Sequence, residues 1–490
     1  MATGILSDDN VSKQDSRSSV HTPKPFQPTG ILDKFDYEEV TPIIGREFPT
    51  LKIVDDLLNA DNADELLREL AITVSRRGVV FFRAQNNLTN DLQKILVNRL
   101  GQLTGKPLSS TLHIHPVYNQ TSEFGARDDE ISTISSSARK QIFANALAED
   151  KRKYDAAQWH SDIQFEPHPA DYTSLRLVQL PKDERGVPTG GDTLWASGYE
   201  IYDRFSPAYR KFLESLTAVF SGDGFLKAAA ANPEKIRIHE GPRGSPENVG
   251  RELASVHPVV RTNPVTGWKS VFALGPFPKR VNELYSDESE ELLKKILGVV
   301  TANHDLQVRF KWKSENDLAI WDNRSVFHTA TFDYDHLGER FGHRAVGIGE
   351  RPYFDVNSKS RTQALAEEAQ AKANVATSKA GEVNKKEIAS SGLDEKEVPA
   401  PELDSVVQEE VASDEANEKA EMTSKADAPV QDQAQIVSKE DDEKAKLPVR
   451  KVDSPVPEEQ VVSEEASKTD LPVRKVDSPV QEDQVIGVSG

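Results

Sequence analysis

The chain has 490 residues, no cysteine and a formal net charge of −20. Without cysteine, disulfides and thiolate metal sites are excluded, so any metal must be bound by His, Asp or Glu. No apolar run approaches the ~20 residues of a membrane span, the N-terminus lacks the apolar core of a secretory signal, and no basic patch suggests nucleic acid as a partner. We therefore expect a soluble, cytoplasmic protein.

The aromatic residues divide the chain, because no Phe, Trp or Tyr follows Phe354. Residues 361–490 carry 16 Lys and Arg against 30 Asp and Glu, and so supply −14 of the net charge. Such a segment cannot bury enough apolar area to offset the entropy of ordering. We predict a disordered N-terminal tail over residues 1–28, one globular domain over 29–356, and a disordered acidic tail over 357–490.

The globular region begins with an α/β pattern. A cap-like stretch at 61–64 precedes helical spacing, residues 77–83 have the composition of a buried strand, and 88–100 predict a second helix that ends at Gly101. Residues 119–157 are polar and predict a mobile segment over a site. Further strands are predicted at 172–178, 193–195, 306–312, 317–321 and 344–349, with a hairpin over 257–273, helices over 199–216 and 287–300, and a transient helix over 361–375.

This order favours a mainly β fold with flanking helices, built on a two-sheet barrel of jelly-roll type. In the acidic tail, residues 447–456 recur word for word as 471–480. Two copies are too few for a solenoid. They are interpreted either as a duplicated disordered segment or as a twofold motif for an unknown protein partner, switched by phosphorylation at Ser454 and Ser478.

A metal site is predicted at the stretch Trp159-His160-Ser161-Asp162. Side chains two residues apart on a strand point to the same side, so His160 and Asp162 can hold one ion. His328 is the best third ligand. Two histidines and one carboxylate form the facial triad of non-haem Fe(II), which leaves three positions open. The alternative is a chance H-x-D pair and a histidine packed in the core.

Three open positions can accept a bidentate 2-oxo acid and dioxygen. The far carboxylate of such an acid is best held by arginine. Arg340 and Arg344 follow His328 closely, so one can hold the 2-oxo acid and the other an anionic substrate, although each alone is by default a surface charge. His113 and His115 are either a metal pair or, more simply, surface or core histidines.

Together these stretches resemble the taurine dioxygenase family of Fe(II)/2-oxoglutarate-dependent sulfonate dioxygenases over roughly residues 38–354, and the acidic tail resembles fungal members. The resemblance implies a double-stranded β-helix core. It also implies a homo-oligomer. By motif it assigns the iron to His160, Asp162 and His328, 2-oxoglutarate to Thr193 and Arg340, and the sulfonate pocket to His115, Tyr118, Arg344 and Phe272. The matching stretches are 113–118, 159–162, 190–195, 257–262 and 317–328.

The reaction implied consumes 2-oxoglutarate and O2, forms succinate and CO2, and hydroxylates an alkyl sulfonate next to sulfur, releasing sulfite and an aldehyde for sulfur assimilation. Arg344 and a protonatable His115 would hold the sulfonate oxygens by charge-assisted hydrogen bonds. Ala156 stands where the bacterial enzyme has an Asn-containing stretch for the taurine amine, which favours other or broader alkyl sulfonates. The alternatives are an alkyl sulfate ester or aryloxyalkanoate as substrate, a zinc hydrolase, or a non-catalytic interaction protein.

Overall fold

A computed structural model describes residues 24–117, 128–136, 158–231, 233–234 and 236–391. Most of both predicted tails, including the repeat with Ser454 and Ser478, lies outside the described residues. The described residues all belong to one compact unit, Met1–Asp394. Over these ranges, no helix combines the length and the apolar character that a membrane crossing requires.

The described part of the chain alternates short strands with a few helices. The strands are β1 (Glu38–Glu39), β2 (Arg46–Phe48), β3 (Val79–Phe82), β4 (Ile131–Ser135), β5 (Ala170–Gln179), β6 (Thr193–Ser197), β7 (Thr217–Ser221), β8 (Ala254–Pro258), β9 (Val260–Thr262), β10 (Lys269–Val271), β11 (Pro278–Val281), β12 (Gln307–Phe310), β13 (Asp317–Asp322), β14 (Val326–Ala330) and β15 (Phe341–Ile348). The helices are α1 (Ala63–Arg77), α2 (Asn90–Leu103), α3 (Gly198–Asp203), α4 (Pro207–Leu213), α5 (Asp223–Ala231), α6 (Ser286–Ala302) and α7 (Arg361–Ser391).

The largest sheet has the strand order β1-β2-β3-β13-β5-β15-β4. Its outer face is covered by α1 and α2, whose apolar stripes pack on alternate residues of the strands, among them Val80 and Phe82. The intervening Val79 and Phe81 face a second core. Because both faces are covered, β3 is apolar at every position, as the sequence predicts for a buried strand.

A second sheet, β12-β6-β14, packs against the inner face of the first. Phe81 stacks on Phe310 with ring centroids 4.1 Å apart, and Trp195 meets Phe81 and Trp321 edge to face at 5.3 and 5.7 Å. These aromatic contacts between the sheets form the core beneath the candidate site. A third sheet, β11-β7-β8, and the hairpin β9-β10 form another core with α6. The sheet-rich fold with flanking helices is therefore as predicted.

Three local predictions are corrected. Helix α2 continues through Gly101 rather than ending there, and the glycine is explained by close packing, since a Cβ at this position would lie 2.4 Å from Asp171 Oδ2. The helix predicted over 199–216 is split, because the Ser206 hydroxyl caps a new helix that has Pro207 in its first turn. Within the segment predicted to be mobile, β4 is an ordered edge strand paired with β15.

Candidate active site

Two histidines are brought together by a pair of backbone hydrogen bonds. The His160 N–H donates to His328 O at 3.0 Å, and the His328 N–H donates to His160 O at 2.8 Å. Because they are directly opposite, the two rings lie on one side with centroids 4.3 Å apart. His160 Nδ1 donates to Gln158 O at 2.6 Å, which leaves its Nε2 lone pair available to a metal.

Asp162 is placed differently from the prediction, because it lies in a turn and not on a strand with His160. The turn is tight, with Ile163 at a left-handed φ of 47°. Asn323, directly after β13, accepts the Asp162 N–H at 3.0 Å, and Ser161 Oγ donates to Asn323 O at 2.7 Å. The Asn323 amide in turn donates to Thr173 Oγ1 at 2.8 Å, which anchors the turn to β5.

His160, Asp162 and His328 each offer one ligand atom, and these atoms lie within 4.8 Å of one another. Burial lowers the pKa of His160, and burial with the neighbouring His160 lowers that of His328 to about 3. Burial alone would raise the pKa of Asp162, but Arg344 and the two histidines outweigh it and keep the pKa low. Two neutral imidazoles and one carboxylate are the donors that a divalent iron requires, so the residues fit the metal.

The three candidate ligands line a cavity. Thr193 and Arg340 line the same cavity and lie next to each other. Arg340 is 4% exposed, and it donates from Nε to Gly191 O at 2.8 Å and from Nη2 to Thr193 Oγ1 at 3.2 Å. Trp312 Nε1 also donates to Thr193 Oγ1, at 3.1 Å, so the threonine hydroxyl retains its own proton to donate. Among the described residues Arg340 makes no ion pair. A buried guanidinium of this kind suits an anionic ligand.

The glycine turn before β6 makes room for this arginine. Gly190 and Gly191 have φ values of 76° and 67°, in the left-handed region that side chains avoid. A Cβ on Gly191 would lie 2.8 Å from Arg340 Cδ. The sharp turn predicted from the paired glycines is present, and its function is to let the Arg340 side chain lie against the backbone.

The residues predicted for the sulfonate pocket are only partly brought together. Arg344 and His115 line the cavity, and Arg344 Nη1 donates to Asp162 Oδ1 at 2.7 Å. Burial lowers the pKa of His115 well below its ordinary value, so the imidazole, which was predicted to be protonatable, is neutral. Its Nδ1 accepts the Val117 N–H at 3.1 Å, so the ring proton is on Nε2. Tyr118 and Ala156 lie outside the described residues.

Phe272 does not take the predicted position. Among the described residues that line the cavity, Phe272 does not occur. Its ring packs in the core of the third sheet against Phe220 and His257, with centroids 5.4 and 5.8 Å away. Its carbonyl accepts a hydrogen bond from Gln164 Nε2 at 2.6 Å. Phe272 therefore supports the turn that carries Asp162 from behind.

The cavity has a volume of about 510 Å³. Its wall includes a cluster that the sequence analysis missed: Phe165, Phe225 and Phe277, whose ring centroids lie 5.3 to 6.2 Å apart. The sequence gives no periodic signal for them, because they come from a turn, a helix start and a loop. Residues of β4 and its end also line the cavity, namely Thr133, Ile134, Ser135 and Ser136.

A buried His-Asp-His set that fits a divalent metal, beside a buried arginine with no ion pair in the described chain, is the combination expected of an oxygenase that takes a 2-oxo acid as co-substrate. Comparison with known proteins gives the family. Residues 36–346 match the family model described as taurine catabolism dioxygenase TauD, TfdA family, and the chain belongs to this family. The predicted family and enzyme class are thus confirmed.

Relatives agree on the co-substrate. The chain is 49% identical over 344 residues to the alpha-ketoglutarate-dependent dioxygenase btcD of Neocamarosporium betae, which covers 70% of this chain and 98% of the relative. It is 46% identical over 385 residues to the dioxygenase esdpJ of Penicillium shearii, with 72% and 99% covered. It is 31% identical over 319 residues to the alpha-ketoglutarate-dependent sulfonate dioxygenase of Saccharomyces cerevisiae, with 65% and 68% covered. The protein is a 2-oxoglutarate-dependent dioxygenase, and the hydrolase and non-catalytic alternatives lose their support.

Proposed function

We propose that this dioxygenase binds Fe(II) through His160, Asp162 and His328 and hydroxylates an alkyl sulfonate at the carbon next to sulfur, so that the product breaks down to sulfite and an aldehyde. Its core would be the double-stranded β-helix of the family, over residues 29–356. The observation that carries the proposal is the pair of arginines that line the same cavity as the metal set. Arg340 contacts Thr193, and Arg344 contacts Asp162.

Each arginine has a separate task in this proposal. Arg340 and the Thr193 hydroxyl bind the distal carboxylate of 2-oxoglutarate, because both present donors to the cavity and neither is committed to a carboxylate of the described chain. Fe(II) supplies the activation of O2 when it is bound. Arg344 and His115, which both line the cavity, then hold the substrate anion, so that the carbon next to it is oriented toward the metal set.

The aromatic cluster of Phe165, Phe225 and Phe277 lies beside His160, with the Phe277 ring centroid 6.2 Å from that of the imidazole. An apolar wall at this point excludes water from the reacting carbon and packs against the organic part of the substrate. Alkyl sulfonates longer than taurine match such a wall better than a small zwitterion does. The replacement at Ala156 supports the same preference.

Sulfonates are favoured because the Saccharomyces cerevisiae and Schizosaccharomyces pombe relatives, 31% and 32% identical, are named sulfonate dioxygenases. A second candidate is an alkyl sulfate ester, because a Pseudomonas putida relative 26% identical is named a sulfate ester dioxygenase. Arg344 would hold either anion. The two reactions differ in their inorganic product, which is sulfite from a sulfonate and sulfate from a sulfate ester.

The test is a substrate panel with the full chain, anaerobically loaded with Fe(II) and then supplied with 2-oxoglutarate and air. The panel contains taurine, butane-1-sulfonate, hexane-1-sulfonate, hexyl sulfate and an aryloxyacetate. Sulfite release that requires both Fe(II) and 2-oxoglutarate is expected, with hexanesulfonate ahead of taurine. Sulfate from hexyl sulfate, or succinate formed only with the aryloxyacetate, would replace the sulfonate assignment.

A further inference from the structure

A fully buried ion pair lies next to the candidate site without being part of it. The side chains of Glu166 and Arg243 are 1% and 0% exposed. Arg243 donates from Nη2 to Glu166 Oε2 at 2.8 Å and from Nε to Oε1, which gives a bidentate pair. In the described wall of the cavity neither residue appears. Since burying an ion pair is a weak source of stability, the pair calls for another role.

The pair joins the metal-binding turn to the chain segment that carries Arg243. Glu166 follows Asp162 by four residues, at the end of the same turn, and its N–H donates to Ile163 O at 3.0 Å. Arg243 Nη1 donates to His239 O at 3.1 Å and to Gly250 O at 2.8 Å. The Arg243 guanidinium thus joins the backbone of its own loop, at His239 and Gly250, to the Glu166 carboxylate.

The same loop holds the stretch that contains His115 at both ends. The Thr111 N–H donates to Gly244 O at 2.7 Å, and the His239 N–H donates to Pro116 O at 2.8 Å. The approach is close, because a Cβ on Gly244 would lie 2.4 Å from Leu112 O. Residues 111–116 are therefore fixed by contacts on either side of Arg243.

His113 completes the connection from the ion pair to His115. Its Nε2 lies 3.4 Å from Glu166 Oε1. Burial lowers the pKa of His113, so the neutral ring donates from Nε2 to the carboxylate. The His113 and His115 rings meet edge to face with centroids 5.8 Å apart. His113 therefore lies between Glu166 and His115, whose ring lines the cavity.

We propose that Glu166 and Arg243 are positioning residues that fix His115 relative to Asp162, and so set how tightly the substrate anion is held without touching it. The inference rests on the proposed function for the identity of that anion. This positioning role requires the planar guanidinium of Arg243, because a lysine supplies the charge without the two parallel hydrogen bonds. It predicts that substrate binding weakens while 2-oxoglutarate binding, which uses Thr193 and Arg340, does not.

The test compares Arg243→Lys and Glu166→Gln with Arg83→Lys, a matched control. Arg83 forms a bidentate pair with Glu47 and an ion pair with the buried Asp317, and none of these residues lines the described cavity. Three quantities are measured: the KM and kcat for the fastest sulfonate of the panel, the 2-oxoglutarate Kd from the visible absorption of the anaerobic Fe(II) protein, and amide hydrogen exchange over residues 111–117 without ligand.

In both site variants we expect the sulfonate KM to rise about 10–100-fold, exchange over 111–117 to become faster, and the 2-oxoglutarate Kd to stay unchanged. Arg83→Lys should change none of these. An unchanged KM with unchanged exchange would overturn the inference, and so would equal weakening of sulfonate and 2-oxoglutarate. Glu166→Gln keeps the side-chain shape should Arg243→Lys fold poorly. Absence of sulfite release from the unmodified protein would instead refute the proposed function, while the exchange result still decides the role of the pair.

Discussion

Replacing Arg340 with Met tests the proposed co-substrate site most directly. Gly191 O and Thr193 Oγ1 accept two of the five guanidinium N–H groups. The remaining three suffice for two hydrogen bonds to one carboxylate. Hydrogen bonds to charged groups contribute about 1.5–3 kcal/mol each. With some compensation by water, we expect Arg340→Met to cost ~3 kcal/mol of binding, which is about 100-fold in the 2-oxoglutarate Kd.

The assay is an anaerobic titration of the Fe(II) protein with 2-oxoglutarate, followed by its visible absorption band, together with the KM for each substrate. Arg309→Met is the matched control, because Arg309 pairs with Asp192 beside the same turn but is 54% exposed. Arg309→Met should leave the Kd unchanged, and Arg340→Lys should give an intermediate loss. An unchanged Kd in Arg340→Met would refute the assignment. A rise in the sulfonate KM alone would show that Arg340 and Arg344 have the opposite roles.

Three further changes have outcomes that follow from the geometry. His328→Ala removes one of three ligands, so the purified protein should retain its circular dichroism spectrum but no longer hold stoichiometric Fe(II) in metal analysis. Gly191→Ala places a Cβ 2.8 Å from Arg340 Cδ at a φ of 67°, so thermal unfolding should occur at lower temperature and the 2-oxoglutarate Kd should rise. Gly186→Ala is the control, at a φ of 78° with open space around it. It should lower the temperature of thermal unfolding but leave the 2-oxoglutarate Kd unchanged. Burial and Arg261 lower the pKa of His257 from 6.5 to about 3. As the pH falls, the unfolded chain protonates His257 near pH 6.5, whereas the folded chain does so only near pH 3. The free energy of unfolding should therefore fall as the pH drops from 6.5 toward 3, and His257→Gln should make this pH dependence less steep in urea unfolding.

Much of the fold could be predicted because its elements are covered on defined faces. The run Val79–Phe82 is apolar throughout since helices cover one face and the second sheet covers the other. The H-x-D pair and His328 could be predicted as a site because together they supply the residue types of one metal-binding triad, and the paired glycines because they favour a sharp turn. Their meeting at one point is a consequence of the two-sheet arrangement.

The rest depended on contacts that are distant in sequence. Asp162 faces the histidines because Asn323, 161 residues away, accepts its N–H, and no local pattern encodes that bond. β4 lies within a stretch, residues 119–157, that is polar as a whole, and it is ordered as a strand by pairing with the edge of β15. Gly101 was interpreted as a helix stop, whereas a glycine is required there because the Asp171 carboxylate leaves no space for a Cβ. In each case a tertiary partner outweighs the local signal.

The spacing between Arg340 and Arg344 connects the sequence to the chemistry. Residues four apart along an extended chain lie on the same face, about 13 Å from Cα to Cα. Both arginines line the cavity, Arg340 immediately before β15 and Arg344 within it. Arg344 contacts Asp162 while Arg340 contacts Thr193. A spacing of three or five would turn one guanidinium to the opposite face of the sheet, so the even spacing is what brings both arginines to the cavity that the candidate metal ligands line.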